Sequence, residues 1–193
     1  MTNNVPQPTS SFASLIEGLP IDQKDALIQQ MAINPEYGCY TRAALEYIFW
    51  PRIQKNVEFV FFFDIDDMKA WNDVYKYKGM NQLIKKCLVL RRQDVYGIYQ
   101  WQSGDELTCF LVKSSGRPEP IKPAQVASRI WRNFQAEGVS ITGAIVPVKE
   151  GQPLEEVMKI ATDLVQEMKH NPVKKGKIYF SEMLFQDAYQ EED

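Results

Sequence analysis

Val57-Glu58-Phe59-Val60-Phe61-Phe62-Phe63-Asp64-Ile65-Asp66 is the stretch on which the fold turns. The run from Val57 to Phe63 is β-branched and aromatic and does not alternate with polar residues. A strand of that kind has both faces covered, as the central strand of a sheet does. Asp64 is expected to end it abruptly, which puts a carboxylate at the strand's C-terminal end.

Working outward, Asp66 to Tyr77 and Gly79 to Arg92 are helical in pattern, the second with Leu83, Ile84, Cys87 and Leu88 on one stripe. Val95 to Gln102 and Glu106 to Val112 read as strands joined by a turn at Ser103, Gly104 and Asp105, which predicts a β-hairpin. Ser114 to Pro123 is loop, Ala124 to Ala136 helix and Val139 to Val148 strand. Leu154 to Lys169 is the clearest amphipathic helix, and Lys177 to Phe180 a short closing strand. Upstream, Phe12 to Ile33 makes two short helices broken at Gly18 and Pro20. Asn34 to Tyr40 is a loop, and Thr41 caps a helix that runs to about Trp50, before Pro51.

The order from Val57 is therefore β-α-α-β-β-α-β-α-β. It predicts an α+β fold: a palm-like, mainly antiparallel central sheet with helices packed on one face, preceded by an N-terminal helical segment. The expected organisation is a polar tail and short helical segment over 1–33, one domain over 34–181 and an acidic tail over 182–193.

With 193 residues, 45% hydrophobic and 24% charged, the chain is long enough for one well-filled core, and disordered, collagen-like and coiled-coil classes are excluded. No apolar run is long enough to span a bilayer and no secretory signal is evident, so neither a membrane nor secretion is expected. Cys39, Cys87 and Cys109 are odd in number and far apart, with no CxxC pair. That argues against a disulfide framework and a zinc site, and fits a reducing, cytoplasmic location. A net charge of −3 gives no reason to expect nucleic acid as a partner. His170 is the only histidine and has no nucleophile partner nearby in the sequence, and no phosphate-binding G-x-x-x-x-G-K-[ST] loop is present.

The acidic residues are the informative ones. Asp64 and Asp66 stand at the end of the central strand, and Asp105 and Glu106 stand at the hairpin tip. In a palm-like sheet these two places are side by side. Carboxylates converging at a sheet edge suit a hard cation such as Mg²⁺ or Mn²⁺ that keeps positions open for water and phosphate.

At these residues the sequence resembles the GGDEF family of diguanylate cyclases. Asp64-Ile65-Asp66-Asp67-Met68-Lys69-Ala70-Trp71-Asn72-Asp73 is similar to the family's D-x-D-x-x-K-x-x-N-D segment, and Ser103-Gly104-Asp105-Glu106-Leu107 to the hairpin that names it. Asn34-Pro35-Glu36-Tyr37-Gly38-Cys39-Tyr40-Thr41-Arg42 resembles the family's D-P-L-T-G-L-x-N-R. Ala161 to Lys169, followed by Lys175-Gly176-Lys177, resembles the A-D-x-A-L-Y-x-A-K-x-x-G-R-N ending. The four segments occur in order between Asn34 and Phe180.

The resemblance implies a cyclase that condenses two nucleoside triphosphates, most simply two GTP, into a cyclic dinucleotide such as cyclic di-GMP. It implies Mg²⁺ held by Asp64, the Ile65 carbonyl and Asp105, with Glu106 beside them. Asn72 and Asn81 would meet the base, Ser103 and Gly104 would line the nucleotide site, and Lys69, Lys169 and Lys177 would reach the triphosphate. Two half-sites imply a homodimer. The departures are Ser103 for the first glycine, Leu107 for the phenylalanine, and Tyr75-Lys76-Tyr77-Lys78-Gly79-Met80-Asn81 in place of F-G-H-x-x-G-D. Five residues, His170 to Lys174, are also inserted. An amide at Asn81 can face adenine or guanine, which implies relaxed base selection. Arg91 to Asp94 resembles the family's inhibitory R-x-x-D site but stands eight residues before Ser103 instead of five, and Arg91 and Arg92 also fit the basic last turn of a helix. The same departures leave a degenerate module that binds a nucleotide or a protein as the alternative.

Overall fold

The structure, a computed structural model, describes residues 19–88, 95–102, 104–113 and 122–181. Ser103, the Arg91 to Asp94 segment, the predicted helix at Phe12 and the acidic tail lie outside the described residues.

The strands β1 (Val57–Ile65), β2 (Val95–Gln100), β3 (Glu106–Val112), β4 (Ile141–Pro147) and β5 (Ile178–Phe180) form one sheet in the order β2-β3-β1-β4-β5. β1 is antiparallel to β3 and β4, and only β5 runs parallel, beside β4. The sheet is thus mainly antiparallel with the phenylalanine-rich strand at its centre. β1 does not stop at Asp64 but continues to Ile65, because Asp64 is still paired, opposite Glu106 on one side and Thr142 on the other.

Helices cover both faces, not one. Phe61, Phe63 and Ile65 point to a core closed by α4 (Met68–Cys87) and α5 (Pro123–Ala136). Val60 and Phe62 point to a second core closed by α6 (Leu154–Lys169) and by Leu45, Trp50 and Ile53 of the preceding helical run. Two covered faces are what an apolar strand without alternation demands.

α1 (Ile21–Ala32) begins after Pro20, as expected. The next helical run departs from expectation. Thr41 does cap it, its Oγ1 accepting from the Ala44 N–H at 3.2 Å, and α2 (Arg42–Ala44) follows. The chain then widens into a π turn over Leu45–Phe49 before α3 (Trp50–Ile53). Pro51 does not end the helix. It has no N–H to give to the ladder, and it occupies the first turn of α3, where none is needed.

α4 is broken at Lys76, whose φ of 59° and ψ of 163° lie in a region that favours glycine. The sequence pattern places the interruption near Lys78. In the structure it falls at the position where the resembling family carries a glycine, and the glycine-like conformation is kept by a lysine.

Candidate functional site

The C-terminal end of β1 carries the chemistry. Asp64 shares the sheet face of Val60 and Phe62, the face that α6 covers, so Lys169 in the last turn of α6 reaches it. The Lys169 ammonium lies 2.6 Å from Asp64 Oδ1 and 3.5 Å from the Ile65 carbonyl oxygen. Asp64 is buried, and its loss of hydration raises its pKa from 3.8 to about 6. The hydrogen bond and charge of Lys169 pull the other way, and the Asp105 and Glu106 carboxylates add to the rise. Burial wins over the ion pair.

The hairpin tip is stitched to this strand end. The Ile65 N–H donates to the Asp105 carbonyl at 3.1 Å and the Trp101 N–H to the Glu106 carbonyl at 2.9 Å. The Glu106 side chain accepts from the Gln102 N–H at 3.2 Å. Gly104 is required by the crowding here: a Cβ would lie 2.5 Å from the Tyr37 hydroxyl. Tyr37 is buried and its phenol pKa is raised, first by desolvation and then by the Glu36 and Asp105 charges. The tip therefore touches the loop that precedes α2.

Asp64, Ile65, Asp105, Glu106, Gly104 and Lys169 are accordingly gathered at one sheet edge. Asp66 is turned to a different task. It is buried, and its oxygens accept from Ser140 Oγ at 2.6 Å and Thr142 Oγ1 at 2.8 Å. Thr142 Oγ1 in turn accepts from the Gly176 N–H at 2.9 Å, and Gly176 has a φ of +80°. Asp66 thus clamps β1, β4 and the approach to β5 together.

The lysines divide. Lys69 is exposed on the first turn of α4. Lys177 is exposed and lines a cavity of about 270 Å³ with Ser128 and Trp131 of α5, away from the α6 face that carries Lys169. Lys175 is the lysine of that segment that reaches the β1–α4 turn, where it meets both Asp67 oxygens at 2.7 and 2.8 Å.

Asn72 and Asn81 flank the break in α4, and each has a buried Oδ1 without a hydrogen-bond partner. Asn81 Nδ2 donates to Glu36 Oε2 at 2.8 Å. Asn81 and Glu36, but not Asn72, line a cavity of about 530 Å³ between the Asn34 to Tyr40 loop and the second half of α4, with Pro35, Tyr77, Lys78, Gln82 and Lys85. Sequence reasoning passed over Glu36, Tyr37 and the Lys175–Asp67 pair.

The donor set suits a hard cation. Among the described residues no three His, Cys, Asp or Glu side chains converge as a metal centre. Asp64 and the Ile65 carbonyl nevertheless already share one cation, the Lys169 ammonium, and Asp105 is close enough to raise Asp64's pKa. Two carboxylates and a carbonyl are a fitting oxygen set for an ion that keeps several waters.

No protein-family model and no curated relative matches the sequence. Solved structures do match. Diguanylate cyclase SiaD, solved with its activator SiaC from Pseudomonas aeruginosa, superposes with a TM-score of 0.63 at 16% identity, over 83% of this chain and 66% of that one. The coiled coil and GGDEF domain of DgcB from Caulobacter crescentus, in complex with c-di-GMP, gives 0.62 at 11%, over 88% and 95%. The S helix-GGDEF-EAL structure of Vibrio cholerae LapD bound to c-di-GMP gives 0.64 at 13%, over 83% and 40%.

The chain has the fold of a GGDEF domain. At these identities the likeness is one of fold. The chain spans less than half of the LapD structure and about two thirds of the SiaD chain.

Proposed function

We propose that the protein is a nucleotidyl cyclase that joins two nucleoside triphosphates, most simply two GTP, into a cyclic dinucleotide such as cyclic di-GMP. In each half-reaction a 3′-hydroxyl oxygen attacks the α-phosphorus of the other nucleotide. The bond to pyrophosphate breaks and the hydroxyl proton is lost. The observation that carries the reading is the buried Asp64 carboxylate at the end of β1, set against the Asp105 hairpin and an ammonium from α6. Asp64, the Ile65 carbonyl and Asp105 are the residues that would hold Mg²⁺ or Mn²⁺. Such an ion, when bound, supplies Lewis-acid activation of the attacking hydroxyl and charge for the leaving pyrophosphate. Lys169 and Lys69 supply cationic contacts to the triphosphate. Asp66 takes no part in that chemistry, since both of its oxygens are spent on Ser140 and Thr142. Each half-site orients one nucleotide, so the reaction calls for a homodimer with the sites face to face.

The competing reading is a regulatory module that binds a nucleotide or a partner protein without turnover. The close Lys169–Asp64 contact favours it, because that carboxylate is already neutralised. One experiment separates the two: incubation with each of the four ribonucleoside triphosphates and Mg²⁺, with mass spectrometry of the products. A cyclic dinucleotide with stoichiometric pyrophosphate supports the cyclase. Nucleotide bound but recovered intact supports the module.

A further inference from the structure

We infer that, before nucleotide binds, the Lys169 ammonium holds the place of the divalent ion at Asp64 and keeps that ion out. The inference rests on the metal-dependent cyclase reading above and adds to it what controls admission of the metal.

The ammonium and the ion want the same atoms. Lys169 Nζ lies 2.6 Å from Asp64 Oδ1 and 3.5 Å from the Ile65 carbonyl oxygen, and both oxygens belong to the set proposed for the metal. Mg²⁺ takes its oxygen ligands at about 2.0–2.1 Å, closer than the ammonium stands. An ion on those two oxygens would press its charge against that of the lysine, so the two cations are alternatives. The Asp64 side chain is buried, and removing one cation without supplying the other leaves its charge uncompensated. No neighbouring lysine takes over the place. Lys175 is paired with both Asp67 oxygens, and Lys177 lines the cavity at Ser128 and Trp131.

Lys169 is also free to leave. It is the last residue of α6, it stands on a flexible four-carbon stem, and its side chain is only partly buried, so the head can turn outward without moving the helix. A nucleoside triphosphate offers that head several anionic oxygens and brings a divalent ion with it. Exchange of the ammonium for the ion then keeps Asp64 neutralised throughout. Metal and triphosphate binding are coupled through this one side chain, and by linkage each raises the affinity for the other. The neutralised carboxylate is on this reading the resting form of a metal site.

The test is Mn²⁺ titration of the full chain without nucleotide, followed by the electron paramagnetic resonance of the free ion and by the thermal midpoint. The proteins are wild type, Lys169→Met, Lys177→Met and the double variant Lys169→Met with Asp64→Asn. Lys169→Met is expected to bind Mn²⁺ at least about 10-fold tighter than wild type and to gain thermal stability from it. If this variant is unfolded in chelator, Mn²⁺ is expected to refold it, because the ion supplies the missing charge. Lys177→Met removes the same charge from a place that does not touch Asp64, and is expected to bind as wild type does. Equal Mn²⁺ affinity in wild type and Lys169→Met, lost in the double variant, overturns the inference and leaves the metal site and the cyclase reading standing. An equal gain in Lys177→Met, or a Lys169→Met that stays unfolded in millimolar Mn²⁺, also overturns it. If Lys169→Met and the double variant bind Mn²⁺ alike, the ion does not take Asp64, and the metal-dependent reading falls together with the inference.

Discussion

Lys169 and Asp64 form an ion pair in which the acid is 5% and the base 22% exposed, at 2.6 Å, between the last turn of α6 and the end of β1. The pair joins two elements that are 105 residues apart in sequence. Removing one member of such a pair costs more than removing both, because an uncompensated buried charge remains. Lys169→Met is expected to destabilise the fold by about 3 kcal/mol at pH 8, and Asp64→Asn in that background to recover most of the loss. Urea denaturation of the two single variants and the double variant checks it, and additive losses would contradict the coupling.

The acid of that pair also sets a pH dependence. The Asp64 pKa is raised in the folded state, from 3.8 to about 6. A raised carboxylate pKa means that the folded state holds the proton more tightly than the unfolded chain does. The associated stabilisation is complete below pH 3.8 and is lost as pH rises through about 6, an effect on the order of 3 kcal/mol. Relative to Asp64→Asn, the wild type should therefore lose stability between about pH 4 and pH 6 and run parallel to it above. Denaturation midpoints of both proteins across that range read the difference directly, and a constant offset would refute it.

Lys76 gives a prediction of opposite sign. With φ 59° and ψ 163° it holds a conformation that costs a side-chain-bearing residue about 1–3 kcal/mol, and only part of that is returned by the contact of its Nζ with the Asp73 carbonyl. Lys76→Gly is expected to stabilise the protein by about 1 kcal/mol, after the entropy that glycine loses on folding is subtracted. Lys76→Ala should not. Parallel urea titrations of the two variants test the strain, and equal effects would argue against it.

Much of this fold was legible because its central strand is unambiguous. The run Val57 to Phe63 has no polar face, so it demanded a covered position, and the hairpin after it had a clear turn. What stayed hidden has physical causes. Burial on both faces of β1 calls for helices on both sides, yet the expectation put them on one, because the helix order alone does not say which helix goes where. The break in α4 was expected near Lys78, two residues late, since lysine is a good helix former and nothing in the residue at 76 itself marks the strain. Of the site, Asp64, Asp105 and Lys169 were found at motif positions. Asp66 was grouped with them by spacing, but β1 ends at Ile65, and past that end Asp66 accepts from the Ser140 and Thr142 hydroxyls. Glu36 did leave a trace: a carboxylate stands where the resembling segment has leucine.

That division between Asp66 and the other acids yields the sharpest contrast to measure. Thr142→Val strips a partner from Asp66 Oδ1 and from the Gly176 N–H at once, leaving two polar groups unsatisfied beneath the surface. It should cost about 3 kcal/mol of stability while leaving most of the turnover per folded molecule. Asp105→Asn should do the reverse. Asp105 is part-exposed at the hairpin tip, and its backbone bond with Ile65 does not depend on the side chain, so the fold should persist. Its anionic oxygen is what the proposed chemistry needs, and a loss of at least about 100-fold in product formation is expected. Denaturation curves and product quantification on the same two preparations decide it. If Asp105→Asn keeps the wild-type rate, the carboxylate edge is not the catalytic one, whatever the sheet around it resembles.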